Sequence, residues 1–115
     1  MRPIPKSLLP HTVGYVKKTD GGRWGEVVSD APLELRYVRM EPSGKIIRDK
    51  NNAEIQLAAT LFYDCRNSQP TDIFFEVDDL IIFNGQPHRI KTVDLLYDRS
   101  RPHHIEMGLI RYAQD

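Results

Sequence analysis

The sequence predicts an all-β protein built as a small antiparallel barrel. Between Asp79 and Tyr112, three apolar runs rich in β-branched residues are separated by two polar turn segments, which is the pattern of a β-meander. The first turn is Asn84-Gly85, a pair that supplies the positive φ angles of a two-residue hairpin turn. Further short alternating runs upstream, each bounded by turn residues, bring the total to about six strands at regular spacing, as in a small barrel.

An extended N-terminal arm, residues 1–10, is predicted to precede a single barrel domain that covers residues 11–115. Prolines at positions 3, 5 and 10 remove backbone donors and disfavour a helix in the arm. Its apolar residues are Ile4, Leu8 and Leu9. We expect them to pack either against their own barrel or against a neighbouring subunit.

The first strand is predicted over His11–Lys18, where Val13 and Tyr15 share a face. The polar, glycine-rich segment Thr19–Arg23 then predicts a turn. Trp24 follows this turn, and we expect it to cap the open end of the core.

Two further alternating runs predict strands over Leu33–Met40 and Glu54–Tyr63. In the first run, the predicted inner face carries Leu33, Leu35 and Tyr37. In the second, the strict period of two favours a strand, although its alanines and leucines are also good helix formers. Its predicted inner face consists of Ile55, Leu57, Ala59, Leu61 and Tyr63.

The long connection between these two runs contains a segment that we call the tongue, residues Pro42–Lys50. Its residues are Pro42, Ser43, Gly44, Lys45, Ile46, Ile47, Arg48, Asp49 and Lys50. Five basic and two acidic side chains give residues 36–50 a net charge of +3, the most basic region of the chain. Long connections in compact domains are usually functional or disordered. We therefore expect either a solvated hairpin extension or a contact surface here.

The last third of the chain carries two further signals. Ile90 and Val93 are three residues apart, so a β-bulge near Lys91-Thr92 is predicted to bring both into the core. Just before the hairpin, Asp78-Asp79 is predicted to be a polar lead-in to a strand.

The composition limits the possible functions. Sixteen basic and sixteen acidic side chains cancel, which gives no global basic surface for sequence-independent DNA binding. The first residues do not read as a signal peptide, and the apolar runs are too short to span a membrane. Cys65 is the one cysteine, so an internal disulfide is excluded. We expect a soluble intracellular domain.

The sequence contains no residue pattern that is typical of a catalytic site or a metal site. His103 and His104 are adjacent on a predicted strand, so we expect them to point to opposite faces and not to share an ion. His11 and His88 have no partner at ligand spacing. No GxSxG, HExxH or phosphate-loop motif occurs. We predict no catalytic residue, no metal site and no cofactor, and we interpret Cys65 as a structural thiol that is buried or half-buried.

The order of elements, from the arm through the glycine-rich turn and the tongue to the final hairpins, resembles that of a known protein family. The strongest similarity lies in residues 79–93, Asp-Leu-Ile-Ile-Phe-Asn-Gly-Gln-Pro-His-Arg-Ile-Lys-Thr-Val, and in residues 104–109, His-Ile-Glu-Met-Gly-Leu. Over roughly residues 11–112 the chain resembles the head-completion proteins of long-tailed bacteriophages. These include the head-closure or stopper proteins and the related minor capsid and head–tail joining proteins.

The resemblance implies an SH3-like barrel that joins a homo-oligomeric ring in the virion, with a monomer as the alternative in isolation. Such a ring lies below the portal and its adaptor, retains packaged double-stranded DNA and offers a docking surface to the tail-completion proteins. By position, the tongue corresponds to the loop that closes the channel in stopper proteins. The host cytoplasm during assembly and the head–tail interface afterwards are the implied locations, without a membrane.

Two alternatives remain open at this point. One is a tail-completion or terminator subunit, whereas an adaptor is disfavoured because adaptors of that neck are mostly helical. The other belongs to a different class, a small barrel that binds single-stranded nucleic acid with Tyr15, Trp24 and Tyr37 as stacking residues. That function predicts aromatic side chains exposed on one sheet face beside basic residues.

Overall fold

Eight strands and one turn of 3-10 helix make up the computed structural model, which describes residues 2–18 and 32–112. The elements in chain order are the 3-10 turn Lys6–Leu8, β1 (His11–Val16), β2 (Leu33–Pro42), β3 (Ile46–Arg48), β4 (Glu54–Gln56), β5 (Ala59–Asp64), β6 (Leu80–Phe83), β7 (Gln86–Asp98) and β8 (Arg101–Arg111). Six strands close a barrel in the order β1-β2-β5-β8-β7-β6, with every neighbouring pair antiparallel. β3 and β4 form a separate two-stranded sheet. The predicted all-β class and small SH3-like barrel are confirmed.

The hairpin between β6 and β7 has the predicted turn. Asn84 and Gly85 have φ angles of 52° and 77°, and Phe83 pairs directly with Gln86 across them. Left-handed backbone at both central residues matches the right-handed twist of the strands, which is why Asn-Gly is favoured at this position.

The predicted bulge in β7 is also present. Ile90 pairs with Leu109 and Thr92 pairs with Gly108, so Lys91 is the extra residue. Ile90 is fully buried and Val93 packs against the core. The core is formed by inward-facing side chains of all six barrel strands and by one loop residue: Val13, Tyr15, Leu35, Val38, Met40, Ala59, Leu61, Tyr63, Phe75, Ile81, Ile90, Met107 and Leu109.

Of the predicted inner face of β2, only Leu35 is buried, because Leu33 is 45% exposed at the start of the strand and the alternation breaks after Arg36. Tyr37 has a φ of 57°, and the register with β1 shifts there, so Val38 is fully buried while Tyr37 is exposed. The loop after β5 holds this bulge in place, since Ser68 Oγ donates to the carbonyl of Tyr37. Gln69 also exchanges two backbone hydrogen bonds with Arg36. These contacts come from residues distant in sequence, so no local pattern predicts them.

The predicted strand Glu54–Tyr63 is two strands. β4 ends at Gln56 and pairs with β3, while β5 begins at Ala59 and belongs to the barrel. The inner face is confirmed from Leu57 to Tyr63, whereas Ile55 lies outside the barrel. The alternation of apolar residues continues across the break, which is why the sequence pattern conceals it.

Smaller differences occur near the N-terminus. The arm includes one 3-10 turn at Lys6–Leu8, where an extended chain was predicted. β1 ends at Val16, two residues before the predicted end, and the backbone N–H of Lys18 instead donates to Asp79 Oδ1. The predicted turn Thr19–Arg23 and the predicted cap Trp24 lie outside the described residues.

Candidate functional site

Residues 43–57 form a β-hairpin that projects from the barrel, and we call it the tongue hairpin. Its strands pair through Ile46 and Gln56, Ile47 and Ile55, and Arg48 and Glu54. At the tip, Asp49 Oδ1 accepts the backbone N–H groups of Asn51 at 2.9 Å and Ala53 at 3.0 Å. An aspartate that caps its own turn in this way fixes the hairpin locally. The tongue is therefore an ordered hairpin, and the second strand comes from residues that the sequence pattern assigned to the barrel.

The base of the tongue hairpin is fixed to the barrel through Leu57, which is almost fully buried. Leu57 packs at Gly108, where an added Cβ would lie 2.9 Å from Leu57 Cδ1 and 2.6 Å from Thr92 Oγ1. Ala58 donates its N–H to the carbonyl of Leu109 at 2.8 Å. A glycine in β8 thus allows the base of the hairpin to sit close to the barrel wall.

Charges in and around the tongue are more balanced than the sequence count indicates. Arg48 forms an ion pair with Glu54 at 3.1 Å, and both side chains are largely exposed. The other two arginines of the basic region pair similarly, Arg36 with Glu34 at 2.6 Å and Arg39 with Glu41 at 3.6 Å. Within the described ranges, Lys45 and Lys50 make no ion pair. Among the described residues, these two lysines are therefore the exposed cations of the tongue without an ion pair, whereas the exposed Arg48 is paired.

The apolar side chains of the tongue are partly exposed. Ile46 is 60% exposed, whereas Ile47 and Ile55 face each other and are half-buried. A two-stranded hairpin is marginally stable by itself in water, so it usually packs against a partner. The structure brings the predicted tongue residues together on one projection, and their contact role stays a prediction.

The N-terminal arm lies on its own barrel. Asp64 Oδ1 accepts the N–H of Ile4 at 2.9 Å, and Asn67 Nδ2 donates to the carbonyl of Ile4 at 2.7 Å. Leu9 is buried with 1% of its surface exposed, while Leu8 is 52% exposed. Of the two packing modes left open by the sequence, the structure has Leu9 and Ile4 on the barrel and leaves Leu8 available to a neighbour.

An apolar groove follows the arm. It has a volume of about 320 Å³ and is lined by Ile4, Leu8, Leu9, Arg39, Glu41 and Phe62. Phe62 lies on the outer face of β5, so the groove is bounded by the arm on one side and the barrel wall on the other. Leu8 is the residue whose apolar surface remains most open at this groove.

The distal part of the β7–β8 hairpin is a second projection, which the sequence analysis did not single out. Both strands extend beyond the end of β5, whose last pair with β8 joins Asp64 to His104. Leu95, Leu96 and Tyr97 on this extension are 42%, 38% and 57% exposed. These exposed apolar side chains at the end of a projecting hairpin make the extension a candidate contact region.

A family described as minor capsid protein matches residues 5–109, which is nearly the whole chain. The chain belongs to this family. No curated protein and no solved structure matches the chain significantly.

This minor capsid protein is accordingly a structural protein of a phage particle, and its place is the virion. The match includes the arm from residue 5, the tongue hairpin and most of β8. In the part of the chain that the structure describes, no helix is long and apolar enough to cross a membrane.

The adjacent histidines of this minor capsid protein do touch, contrary to the prediction that they point to opposite faces. His103 Nδ1 and His104 Nδ1 are 2.7 Å apart, and His104 Nε2 lies 2.8 Å from Glu106 Oε2. The cause is a second bulge, since Leu96 pairs with His104 while Tyr97 pairs with Pro102. The extra residue, His103, interrupts the alternation of faces.

Among the described residues, neither Cys65 nor His11 lies in a cluster of side chains that could hold a metal ion. Cys65 is half-buried, and burial, followed by the neighbouring Asp64 carboxylate, raises the pKa of its thiol, which disfavours the thiolate. His11 Nδ1 accepts the N–H of Met40 at 2.9 Å. Among residues 2–18 and 32–112, no group of three or more histidine, cysteine or acidic side chains is arranged to hold a metal ion.

Of the three predicted stacking residues, Tyr15 and Tyr37 lie within the described residues, and these two do not form the exposed platform that single-strand binding requires. Tyr15 is buried in the core, where its hydroxyl donates to Asp79 Oδ2 at 2.6 Å. Tyr37 is partly exposed, and Lys6 Nζ lies 4.4 Å from its ring centroid. Because Tyr15 and Tyr37 do not share an exposed face, the structure argues against base stacking between them.

Proposed function

We propose that this minor capsid protein is a head–tail connector subunit of the head-closure type. It assembles as a ring below the portal and its adaptor, retains the packaged double-stranded DNA and gives the tail a docking surface. The observation that carries the proposal is the ordered tongue hairpin, which projects from the barrel with Ile46, Lys45 and Lys50 directed away from the core.

In a ring of subunits, a small positive charge on each tongue is sufficient to attract DNA phosphates. One or two unpaired lysines per chain contribute little by themselves, but copies arranged around an axis repeat the same charge where DNA phosphates pass. Lys45 and Lys50 fit this role better than Arg48, because Glu54 already pairs with Arg48.

The closed barrel supports assembly through projections. Its six strands pair all the way round, so barrel edges are not available for joining copies. Exposed apolar side chains of the described residues lie instead on the arm, the tongue hairpin and the distal β7–β8 hairpin, at Leu8, Ile46, Leu95, Leu96 and Tyr97. Others lie on β2 and in the loop before β6, at Leu33, Tyr37, Phe74 and Val77. A ring subunit needs such surfaces on more than one side.

Particles assembled without this protein test the proposal. If the protein closes the head, heads package DNA and then lose it, so their nuclease-protected DNA falls well below that of wild-type particles. Heads that keep their DNA but carry no tails would identify a tail-completion subunit instead. Heads that keep their DNA and carry tails would refute both connector functions.

A further inference from the structure

A chain of three hydrogen bonds connects the N-terminal arm to β8 through the two adjacent histidines. His103 Nε2 lies 2.7 Å from the carbonyl oxygen of Arg2, and His103 Nδ1 lies 2.7 Å from His104 Nδ1. His104 Nε2 lies 2.8 Å from Glu106 Oε2. All four ring nitrogens therefore have a partner at hydrogen-bond distance.

The chemistry of these partners determines how many protons the two rings carry. A backbone carbonyl and a carboxylate only accept hydrogen bonds, so the Nε2 atoms of His103 and His104 both donate. The two Nδ1 atoms face each other, and one of them must carry a proton that the other accepts. The arrangement thus contains three ring protons, whereas two neutral imidazoles contain two. The histidine pair therefore has one positive charge.

The distance between the two Nδ1 atoms separates a shared proton from a shared metal ion. Two nitrogen ligands of a tetrahedral zinc ion lie roughly 3.3 Å apart, because each is about 2.0–2.1 Å from the metal. The separation of 2.7 Å between His103 Nδ1 and His104 Nδ1 is that of a hydrogen bond instead.

A positive charge on the pair suits the groups around it. Glu106 pairs directly with Asp94 across β7 and β8, so the charge on His104 offsets the repulsion between two opposed carboxylates. Asp98 interacts electrostatically with His103 and with Arg66. The titratable and charged groups on the elements around the pair are Asp64, Cys65 and Arg66 from β5 and the loop after it, Asp94 and Asp98 from β7, Arg101 and Glu106 from β8, and Arg2 from the arm.

Loss of the third proton affects the contact with Arg2. Two neutral rings have two N–H groups for three hydrogen bonds, and the bond to the charged carboxylate of Glu106 is the one that is kept. If the remaining proton lies on His103 Nδ1, then Nε2 has no proton to donate to the carbonyl of Arg2. If it lies on His103 Nε2, two Nδ1 lone pairs face each other at 2.7 Å and the His103 ring is pushed away.

We propose that His103 and His104 form a proton-binding site whose shared proton holds the N-terminal end of the arm on the barrel, so that Arg2 is released as the pH rises. A contact that requires a bound proton is lost when that proton leaves. The release is local, because Ile4 is held by Asp64 and Asn67 without a histidine. The site is independent of head closure.

Nuclear magnetic resonance of the purified chain, with a metal chelator present, tests the proton count and the release together. Proton–nitrogen correlation spectra of the imidazoles report which ring nitrogens carry protons. The carbon shift of the Arg2 carbonyl reports its hydrogen bond. Followed from acidic to alkaline pH, the wild-type chain should lose the shared Nδ1 proton and the Arg2 hydrogen bond at the same midpoint.

Glu106→Gln distinguishes a bound proton from ordinary packing. The glutamine amide can donate to His104 Nε2, which then needs no proton, and two neutral rings are enough for all three hydrogen bonds. The matched control is Asp94→Asn, which removes a neighbouring exposed charge but leaves the carboxylate of Glu106 in place. Glu106→Gln should keep the Arg2 hydrogen bond at the alkaline pH at which the wild-type chain and Asp94→Asn lose it.

Several results would overturn the proposal. One is an Arg2 carbonyl shift that stays constant while the rings lose their third proton. Another is the same loss of the Arg2 hydrogen bond in Glu106→Gln and Asp94→Asn. Two neutral rings at a pH at which the wild-type Arg2 hydrogen bond is intact would contradict the proton count. An Arg2 hydrogen bond that forms only when zinc replaces the chelator would show a metal site instead.

Discussion

The hydroxyl of Tyr15 donates a hydrogen bond of 2.6 Å to the carboxylate of Asp79, which is fully buried. The same carboxylate accepts the backbone N–H groups of Lys18 and Glu76, each at 2.9 Å. Lys17 Nζ lies 3.5 Å away and supplies a compensating charge. A buried carboxylate is tolerated when it is this well satisfied, and here it joins the end of β1 to the loop before β6.

Tyrosine ionisation is expected to set the alkaline limit of stability. Burial, and then the hydrogen bond to Asp79, holds the pKa of Tyr15 above its ordinary value, and burial raises the pKa of Tyr63 to about 12. The unfolded chain loses these protons near pH 10.0, before the folded chain does, so the free energy of unfolding falls as the pH rises above that value. Tyr63 alone accounts for roughly 2–3 kcal/mol between pH 10.0 and about 12.

Urea denaturation from neutral to alkaline pH measures this decline. Tyr63→Phe should reduce the decline, whereas Tyr97→Phe, at an exposed position, should leave it unchanged. If the free energy of unfolding fell equally with rising pH in these two variants, the contribution assigned to Tyr63 would be contradicted.

The two neighbouring leucines of the arm, Leu8 and Leu9, are expected to contribute very differently to the free energy of unfolding. Leu9→Ala removes a side chain that is 1% exposed, and should lower the free energy of unfolding by about 2–4 kcal/mol. Leu8→Ala, at 52% exposure, should change it by less than about 0.5 kcal/mol. If Leu8 contacts a neighbouring subunit, Leu8→Asp should lower incorporation into particles without lowering the Tm. Unchanged incorporation of Leu8→Asp would remove the arm from the subunit interface.

The tongue hairpin is expected to be dispensable for folding. Leu57 donates its N–H to the carbonyl of Lys45 at 2.8 Å. Replacing Ile46–Gln56 by Asn-Gly turns this bond into that of a two-residue hairpin turn and keeps the buried Leu57. The Tm should stay close to that of the wild type while DNA retention is lost. A large fall in the Tm would show that the hairpin stabilises the barrel instead.

Gly108 is expected to tolerate no side chain. A Cβ there would lie 2.6 Å from Thr92 Oγ1 and 2.9 Å from Leu57 Cδ1. Gly108→Ala should therefore destabilise the protein by about 1–3 kcal/mol through overpacking. Gly44→Ala is the comparison, since an added Cβ there meets only Gln56 Nε2, at 3.5 Å. Thermal unfolding of the two variants measures the difference, and equal Tm values would contradict the close approach at Gly108.

The predictable parts of the fold are those that neighbouring residues determine. Asn84-Gly85 specifies its own hairpin, and the three-residue spacing of Ile90 and Val93 is enough to indicate a bulge. The bulge at Tyr37 depends instead on Ser68 and Gln69, about thirty residues away, so the alternation in β2 misled the prediction.

The candidate site was predictable in position but not in form. Its basic, turn-rich sequence marked the tongue as an extension, yet the pairing strand Glu54–Gln56 was assigned to the barrel because its alternation continues into β5. Asp64 could not be recognised as the acceptor for Ile4, because the bond joins residues 60 positions apart. The distal β7–β8 surface was missed since apolar residues on a strand read equally well as core.

DNA retention by complemented heads tests head closure most directly. Heads assembled without the protein are incubated with purified wild-type chain, or with the chain whose Ile46–Gln56 is replaced by Asn-Gly, and their nuclease-protected DNA is measured. Head closure predicts that the wild-type chain restores the protected DNA and that the variant does not. Protected DNA that is the same with and without the wild-type chain would contradict it.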